Sequence, residues 1–181
     1  MLQNALKIKL KKVDGISKSK GDPYLIFDLN KKIYAVPLNT VHRFEEMKNI
    51  HKVPSSFNFF QGVVGYLDDF VGVLNLKKAL KIEGNKDIGD ILILFKNGHT
   101  FLAAAVDDIR DIVSIPKDSI KQEVPLETEN NEIFIGFSKM GSEIVTHLNI
   151  KSWIGRPDIS ELTSMIAKHI KENKKEYEKR A

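Results

Sequence analysis

The chain has no cysteine, which excludes disulfides, thiolate metal sites and cysteine nucleophiles. It has no apolar run near the ~18 residues that a membrane span needs. The opening Met1-Leu2-Gln3-Asn4-Ala5-Leu6-Lys7 holds no apolar stretch fit for a secretion signal. A cytoplasmic location without direct membrane insertion is therefore the expectation. The histidines, His42, His51, His99, His147 and His169, have no i+3 or i+4 partner of metal-ligand type, so no zinc or iron site is written locally. Gly62-Val63-Val64-Gly65 lacks the third glycine of a dinucleotide loop and opens no helix, and there is no Gly-x-Ser-x-Gly elbow. The acidic doublets Glu45-Glu46, Asp68-Asp69 and Asp107-Asp108 point their members to opposite faces of a strand. Turn chemistry and solubility account for them. With no base, nucleophile or ion site in view, the chain is not read as an enzyme, and no cofactor or metal is assigned to it.

What is there describes a globular protein. The chain has 181 residues, 42% of them hydrophobic and 29% charged, enough for one ordinary domain or two small barrels sharing a core. Its net charge of +4 is uneven: residues 1–20 carry six lysines against Asp14, and residues 156–181 add a smaller basic excess. The body between them is slightly acidic, whereas a nucleic-acid binder puts a basic stripe on its folded surface.

Short strands dominate the pattern. In residues 1–21, Leu6, Ile8 and Leu10 alternate with lysines and then give way to linker chemistry; a solvated arm is favoured over a docked edge strand. Tyr24–Leu29 and Ile33–Leu38 form a first hairpin, with Pro37 at a strand end or edge. Val41, Phe44 and Met47 recur near helical spacing and predict a helical turn or two. Leu76–Ile82 predicts a short helix with its lysines outward. Ile91-Leu92-Ile93-Leu94-Phe95 is an unbroken apolar run, expected as a strand covered on both faces. Asn97-Gly98 marks the following turn, Ile112–Ile115 is a short strand ended by Pro116, and Ile133–Lys139 and Glu143–Leu148 form a last hairpin. So many short strands with little helix argue for a sandwich or a barrel. After Pro157, Asp158 and Glu161 read as a capping box, and Leu162, Met165, Ile166, His169 and Ile170 line one helix face. That stripe is expected to pack on its own domain.

The most telling stretch is Phe60-Gln61-Gly62-Val63-Val64-Gly65-Tyr66-Leu67-Asp68-Asp69-Phe70-Val71-Gly72-Val73-Leu74-Asn75-Leu76: two apolar strands about an acidic turn, with glycines where backbones come close. It resembles the central hairpin of the CheW family of chemotaxis adaptors. Tyr24–Leu29 with Ile33–Leu38 is similar to that family's first hairpin, and Val41–Leu76 resembles its central region. Val106–Val113, Phe134–Lys139 and Ile144–Ile150 resemble its later strands. The resemblance implies an all-β fold of two intertwined five-stranded small β-barrels with short connecting helices and a C-terminal α-helix. Residues 1–21 would be a basic arm, 22–155 the double barrel and 156–181 the amphipathic helix. It also implies a non-catalytic adaptor that binds a chemoreceptor cytoplasmic tip and a CheA-type histidine kinase, with a further copy of the chain as another candidate partner.

Three polar positions depart from the family pattern. The usual Asn-Leu-Arg-Gly turn is Gly65-Tyr66-Leu67-Asp68, the usual Glu is Arg43, and the usual Asp at the strand end is Asn75. One reading is an exchange of polarity, Arg43 reaching Asp68 or Asp69 across a groove; the other is that all are independent surface groups, worth at most ~1 kcal/mol in any pair. The partner-binding candidates are Val41, Arg43, Phe44, Gly62, Tyr66, Leu67 and Asp68. Gly62 has two readings, an open groove floor or relief of strand packing. A different class of function keeps the fold as a structural or interaction module outside the receptor–kinase complex, and a third is a nucleic-acid binder suggested by the pI of 9.1. Heparin chromatography separates that last class: on the adaptor reading, retention falls sharply once residues 1–20 are removed, whereas a nucleic-acid surface on the body would preserve it.

Overall fold

A computed structural model describes residues 21–47, 49–52, 58–67, 69–82, 88–122 and 131–172. In chain order its elements are β1 (Asp22–Leu29), β2 (Lys32–Pro37), β3 (Val41–Glu46), β4 (Phe60–Tyr66), β5 (Asp69–Asn75), α1 (Leu76–Ala79), β6 (Ile91–Asn97), β7 (Thr100–Val106), β8 (Asp108–Ile115), β9 (Phe134–Met140), β10 (Glu143–Leu148), α2 (Ile150–Ile154) and α3 (Pro157–Glu172). The strands form two five-stranded sheets, β8-β1-β2-β10-β9, which curls into the first barrel, and β3-β6-β7-β5-β4, which curls into the second. Each half of the chain thus gives a hairpin to one sheet and three strands to the other. The pairing is the same in both: two antiparallel hairpins joined by a short parallel contact, β10 with β2 and β5 with β7.

This arrangement explains the unbroken apolar runs. In β6, Ile91, Ile93 and Phe95 pack into the core shared by the two sheets, while Leu92 and Leu94 turn into the interior of their own barrel. In β1, Leu25, Phe27 and Leu29 face the seam, whereas Tyr24 and Ile26 face the other barrel interior. With both faces of a strand covered, period-2 alternation disappears and only length marks it as a strand.

Among the described residues each barrel closes at an isolated bridge. His51 and Val63 exchange backbone hydrogen bonds of 2.9 and 3.1 Å, and Lys121 and Phe137 exchange two of 2.8 Å. Beside each bridge sits a glycine at positive φ, Gly62 at 135° and Gly136 at 152°. A Cβ on either would stand 2.2 Å from the carbonyl oxygen of the bridging residue, His51 or Lys121. Close approach of backbones is therefore the reason for Gly62.

Several expectations change. Residues 41–46 are strand, not helix: a bulge leaves His42 without a register partner, so Val41 and Phe44, three apart, reach the same core. The equivalent bulge in the first barrel leaves out Arg110. Lys77 of α1 points inward, 5% exposed, with Nζ 2.6 Å from Asp107 Oδ1. Asp107 also accepts the Asn30 N–H at 2.7 Å, so that doublet ties two hairpins together. Helix α3 begins at Pro157, not after an Asp158 cap; the Asp158 carboxylate instead takes the Arg156 guanidinium and the Ile159 N–H. Its buried stripe is Ile159, Ile166, Ala167 and Ile170, rotated so that Met165 and His169 face outward. The rotation follows from the contact over β5, where a Cβ on Gly72 would stand 2.5 Å from Thr163 Oγ1. The helix packs on its own domain, as expected. The arm of residues 1–20 lies outside the described residues.

The first barrel also encloses a polar pair, Ser138 Oγ and His147 Nε2 at 2.8 Å, with His147 fully buried and Tyr24 edge-on at 5.0 Å. Gly62→Ala and Gly136→Ala should each destabilise the protein by at least ~2 kcal/mol in denaturant unfolding. Gly65→Ala, with open space around its Cβ, serves as the neutral control. Burial pushes His147 down to about 4 from 6.5. Between those values the unfolded chain binds a proton that the native one does not, so stability falls as pH drops from 6.5 toward 4, by about 3 kcal/mol in full. The double variant Ser138→Val, His147→Val should lose that acid limb in a comparison of Tm against pH.

Candidate partner-binding face

The tip of the β4–β5 hairpin is built at a local cost. Tyr66 pairs with Asp69, leaving a two-residue turn. Its first residue, Leu67, has φ of 54° and is 85% exposed. Two-residue hairpin turns call for positive φ there, but a side chain other than Gly, Asn or Asp meets a penalty of roughly 1–2 kcal/mol in that region. An apolar side chain that is both strained and solvated serves no folding purpose, which makes the tip a candidate contact point.

Behind the tip, aromatic groups close the mouth of the second barrel. His42, carried by the β3 bulge, meets Tyr66 Oη through Nε2 at 2.6 Å. The Phe101 ring lies 5.3 Å from His42 and 5.4 Å from Tyr66, centroid to centroid. Two cations flank the cluster: the Arg43 guanidinium carbon is 5.8 Å from the Tyr66 centroid, and Lys96 Nζ is 5.4 Å from that of Phe101. Such placements are favourable by ~0.5–1 kcal/mol each at exposed sites. In the first barrel the equivalent mouth is closed by charge. There Arg110 Nε donates to both Asp28 carboxylate oxygens at 2.8 Å, and Nη1 donates to Glu143 at 3.0 Å.

Beside the tip, a cleft of about 340 Å³ opens between β5, β7 and α3. The parallel pairing of β5 with β7 covers only Val73–Asn75 and Ala103–Ala105, so the preceding residues of both strands diverge and line the cleft. Ile159, Thr163 and Ser164 of α3 form its wall. Lys171 near the helix end binds Asp69 at 3.0 Å. The Phe70 N–H, then that ammonium, hold the Asp69 carboxyl below the usual carboxylate range.

A family model for the CheW-like domain matches residues 23–157, which is most of the chain. The chain belongs to the CheW-like family. The solved structure of the scaffolding protein TtCheW from Thermoanaerobacter tengcongensis is similar to it, at 19% identity and a TM-score of 0.64 over 73% of this chain and 86% of that one. At that identity the likeness speaks for the fold, the all-β double barrel that the family resemblance implied. No curated protein matches the chain. Helix α3 lies beyond the matched CheW-like domain apart from its first residue.

Within the CheW-like domain six of the seven candidates fall into two layers. Arg43, Tyr66 and Leu67 lie at the surface around the second barrel's mouth. Val41 and Phe44 are half-buried against the shared core, and Gly62 is buried under the His51 backbone. Asp68 lies outside the described residues. The exchange of polarity with Asp69 does not form: Arg43 donates to Glu45 on its own strand, and Asp69 is taken by Lys171. Barrel closure brings β3 against Tyr66, whereas Asp69 starts β5 on the side that α3 covers. Asn75, the third departure from the family pattern, is 1% exposed and accepts the Lys78 N–H to cap α1, so it plays no part in this face. Sequence reasoning missed His42, Lys96, Phe101 and Lys171. The first depends on a bulge, and the others reach the face from strands and a helix distant in sequence. Among the described residues no group of three or more His, Cys, Asp or Glu could hold a metal ion, and no helix is long and apolar enough to cross a membrane.

Proposed function

We propose that this CheW-like chain is a non-catalytic cytoplasmic adaptor that couples a chemoreceptor tip to a CheA-type histidine kinase. The observation that carries the proposal is Leu67, an apolar side chain held exposed and at positive φ on a hairpin tip. Interfaces concentrate their energy in a few apolar or aromatic anchors within a polar rim. Here the anchors would be Leu67 and Tyr66, the rim Arg43, and the support Val41, Phe44 and Gly62; Asp68, outside the described residues, completes the proposed set. A leucine in place of the family's usual arginine changes what the tip selects. It drops bidentate recognition of a carboxylate and adds apolar contact.

The test is direct binding of purified CheA-type kinase and receptor tip to the wild-type chain and to Leu67→Asp. The substitution should weaken binding about tenfold or more, the equivalent of ~1.4 kcal/mol. Its effect on stability should stay within ~0.5 kcal/mol, because the side chain touches little of the core. A large drop in Tm would instead assign Leu67 to packing, and a pull-down from native cytoplasm without any CheA-type kinase would sink the adaptor reading.

A further inference from the structure

At the start of β3 lies a pocket of about 370 Å³ whose polar lining the adaptor reading does not use. Three elements far apart in sequence converge on it: the 3-10 turn Leu38–Thr40 with the first residues of β3, the β6–β7 hairpin tip, and α2. Asn39 and His42 come from the first, Lys96 and Asn97 from the second, and Lys151 from the third. Each is carried on fixed backbone. The Thr40 hydroxyl donates to the Pro37 carbonyl at 2.7 Å and holds the turn. The bulge places His42, and its Nε2 meets the Tyr66 hydroxyl at 2.6 Å. Asn97 pairs with Thr100 to close the hairpin, and buried Ile150, Trp153 and Ile154 dock α2 so that Lys151 stays exposed.

The charge of this pocket is one-sided. Its titratable lining groups are Lys96, Lys151 and His42, and among the described residues no Asp or Glu lines it. Neither lysine has a carboxylate partner among the described residues. Elsewhere the fold neutralises the cations it gathers: the opening beside Arg110 and Lys77 also holds Asp28 and Asp107, which take the guanidinium and the ammonium. Bringing two ammonium groups to one recess without a counter-charge does nothing for folding. A recess lined by one sign of charge does focus its field on an arriving ion. Lysines act as point charges that suit a tetrahedral dianion, whereas a planar carboxylate is matched by the arginine fork. No arginine lines the pocket among the described residues. Its volume is that of roughly a dozen waters, more than a bare phosphate fills, and falls at the small end of the range for ligand sites.

We propose that this pocket binds the phosphate group of a small phosphate monoester, held between the Lys96 and Lys151 ammonium groups with His42, Asn39 and Asn97 as further hydrogen-bonding groups. The charge-assisted bonds from the lysines supply most of the affinity. The amides and the imidazole, reaching the phosphate from other directions, set its orientation. The site shares His42 with the mouth of the second barrel but needs no partner protein, so it stands or falls independently of the adaptor reading.

Two-dimensional NMR of the full chain tests it at constant ionic strength, with glucose 6-phosphate as the probe, inorganic phosphate as the bare group and glucose as the neutral control. Both phosphates should shift the amide signals of residues 39–42, 96–98 and 151 saturably, and glucose should leave them in place. Lys96→Glu and Lys151→Glu, both at exposed positions, should each weaken that binding about tenfold or more with Tm unchanged. Lys139→Glu makes the same change of charge at an exposed position of β9 and should leave it unaltered. Shifts that do not saturate, or that Lys139→Glu reduces as much as the pocket variants do, overturn the site, because general attraction to a basic protein gives that pattern. Binding of inorganic phosphate without glucose 6-phosphate overturns the monoester. A response to phosphatidylglycerol vesicles with none to glucose 6-phosphate overturns it as well, and assigns the two lysines to a lipid surface.

Discussion

Everything in this molecule depends on the seam where the two sheets meet. Leu25, Phe27, Leu29, Tyr34 and Val36 from one sheet pack there with Ile91, Ile93, Phe95, Leu102 and Ala104 from the other, all nearly or wholly buried. Because each sheet mixes strands from both halves of the chain, the seam cannot part without also stripping each barrel of its own members. Stability and topology are thus one constraint: about 25 cal/mol is gained for each Å² of apolar surface buried there. The same burial keeps hairpins far apart in sequence in register. The closing bridges at Val63 and Phe137 are tolerable because glycines let the backbones meet.

On that rigid base the two barrel mouths have diverged. Both have a bulge at the matching place in the ladder, and both use the extra residue to span the mouth. Arg110 does so with carboxylates on two strands, a closed ionic network whose charges are already satisfied. His42 does so with Tyr66 and Phe101, leaving ring faces and edges at the surface. Satisfied charges offer little to a newcomer, whereas exposed aromatic faces bordered by cations offer both apolar area and selectivity. The candidate face lies on the aromatic side for that reason.

Much of this fold was legible in the residues. The apolar run at Ile91–Phe95 proclaimed a strand covered on both sides, and the hairpins about residues 30, 98 and 141 were marked by their turn chemistry. What local pattern misread, it misread for identifiable reasons. One bulged residue at His42 turns a period of two into an apparent period of three, so a strand took on the look of a helix. The face of α3 depended on where Gly72 lets a helix settle, information that lies 91 residues from Thr163 and not in the helix itself. Of the candidate face, the hairpin's own residues could be named from sequence. Their neighbours Phe101, Lys96 and Lys171 could not, because only barrel closure and helix docking bring them near. The Arg43–Asp69 pairing failed because a carboxylate on its own strand takes the arginine and helix docking brings Lys171 to Asp69.

The exchange of strands between halves has one more consequence. Cut between α1 and β6, each piece would hold a hairpin for one barrel and three strands for the other, and neither could complete a sheet alone. Two copies of a single such piece would complete each other about a twofold axis. In outline, then, the fold has the layout of two subunits that exchange strands, held within one chain. A true homodimer must present every surface twice. Within one chain that obligation is gone, so a repeated scaffold can be ionic and closed at one mouth, aromatic at the other and, among the described residues, covered by α3 on one side.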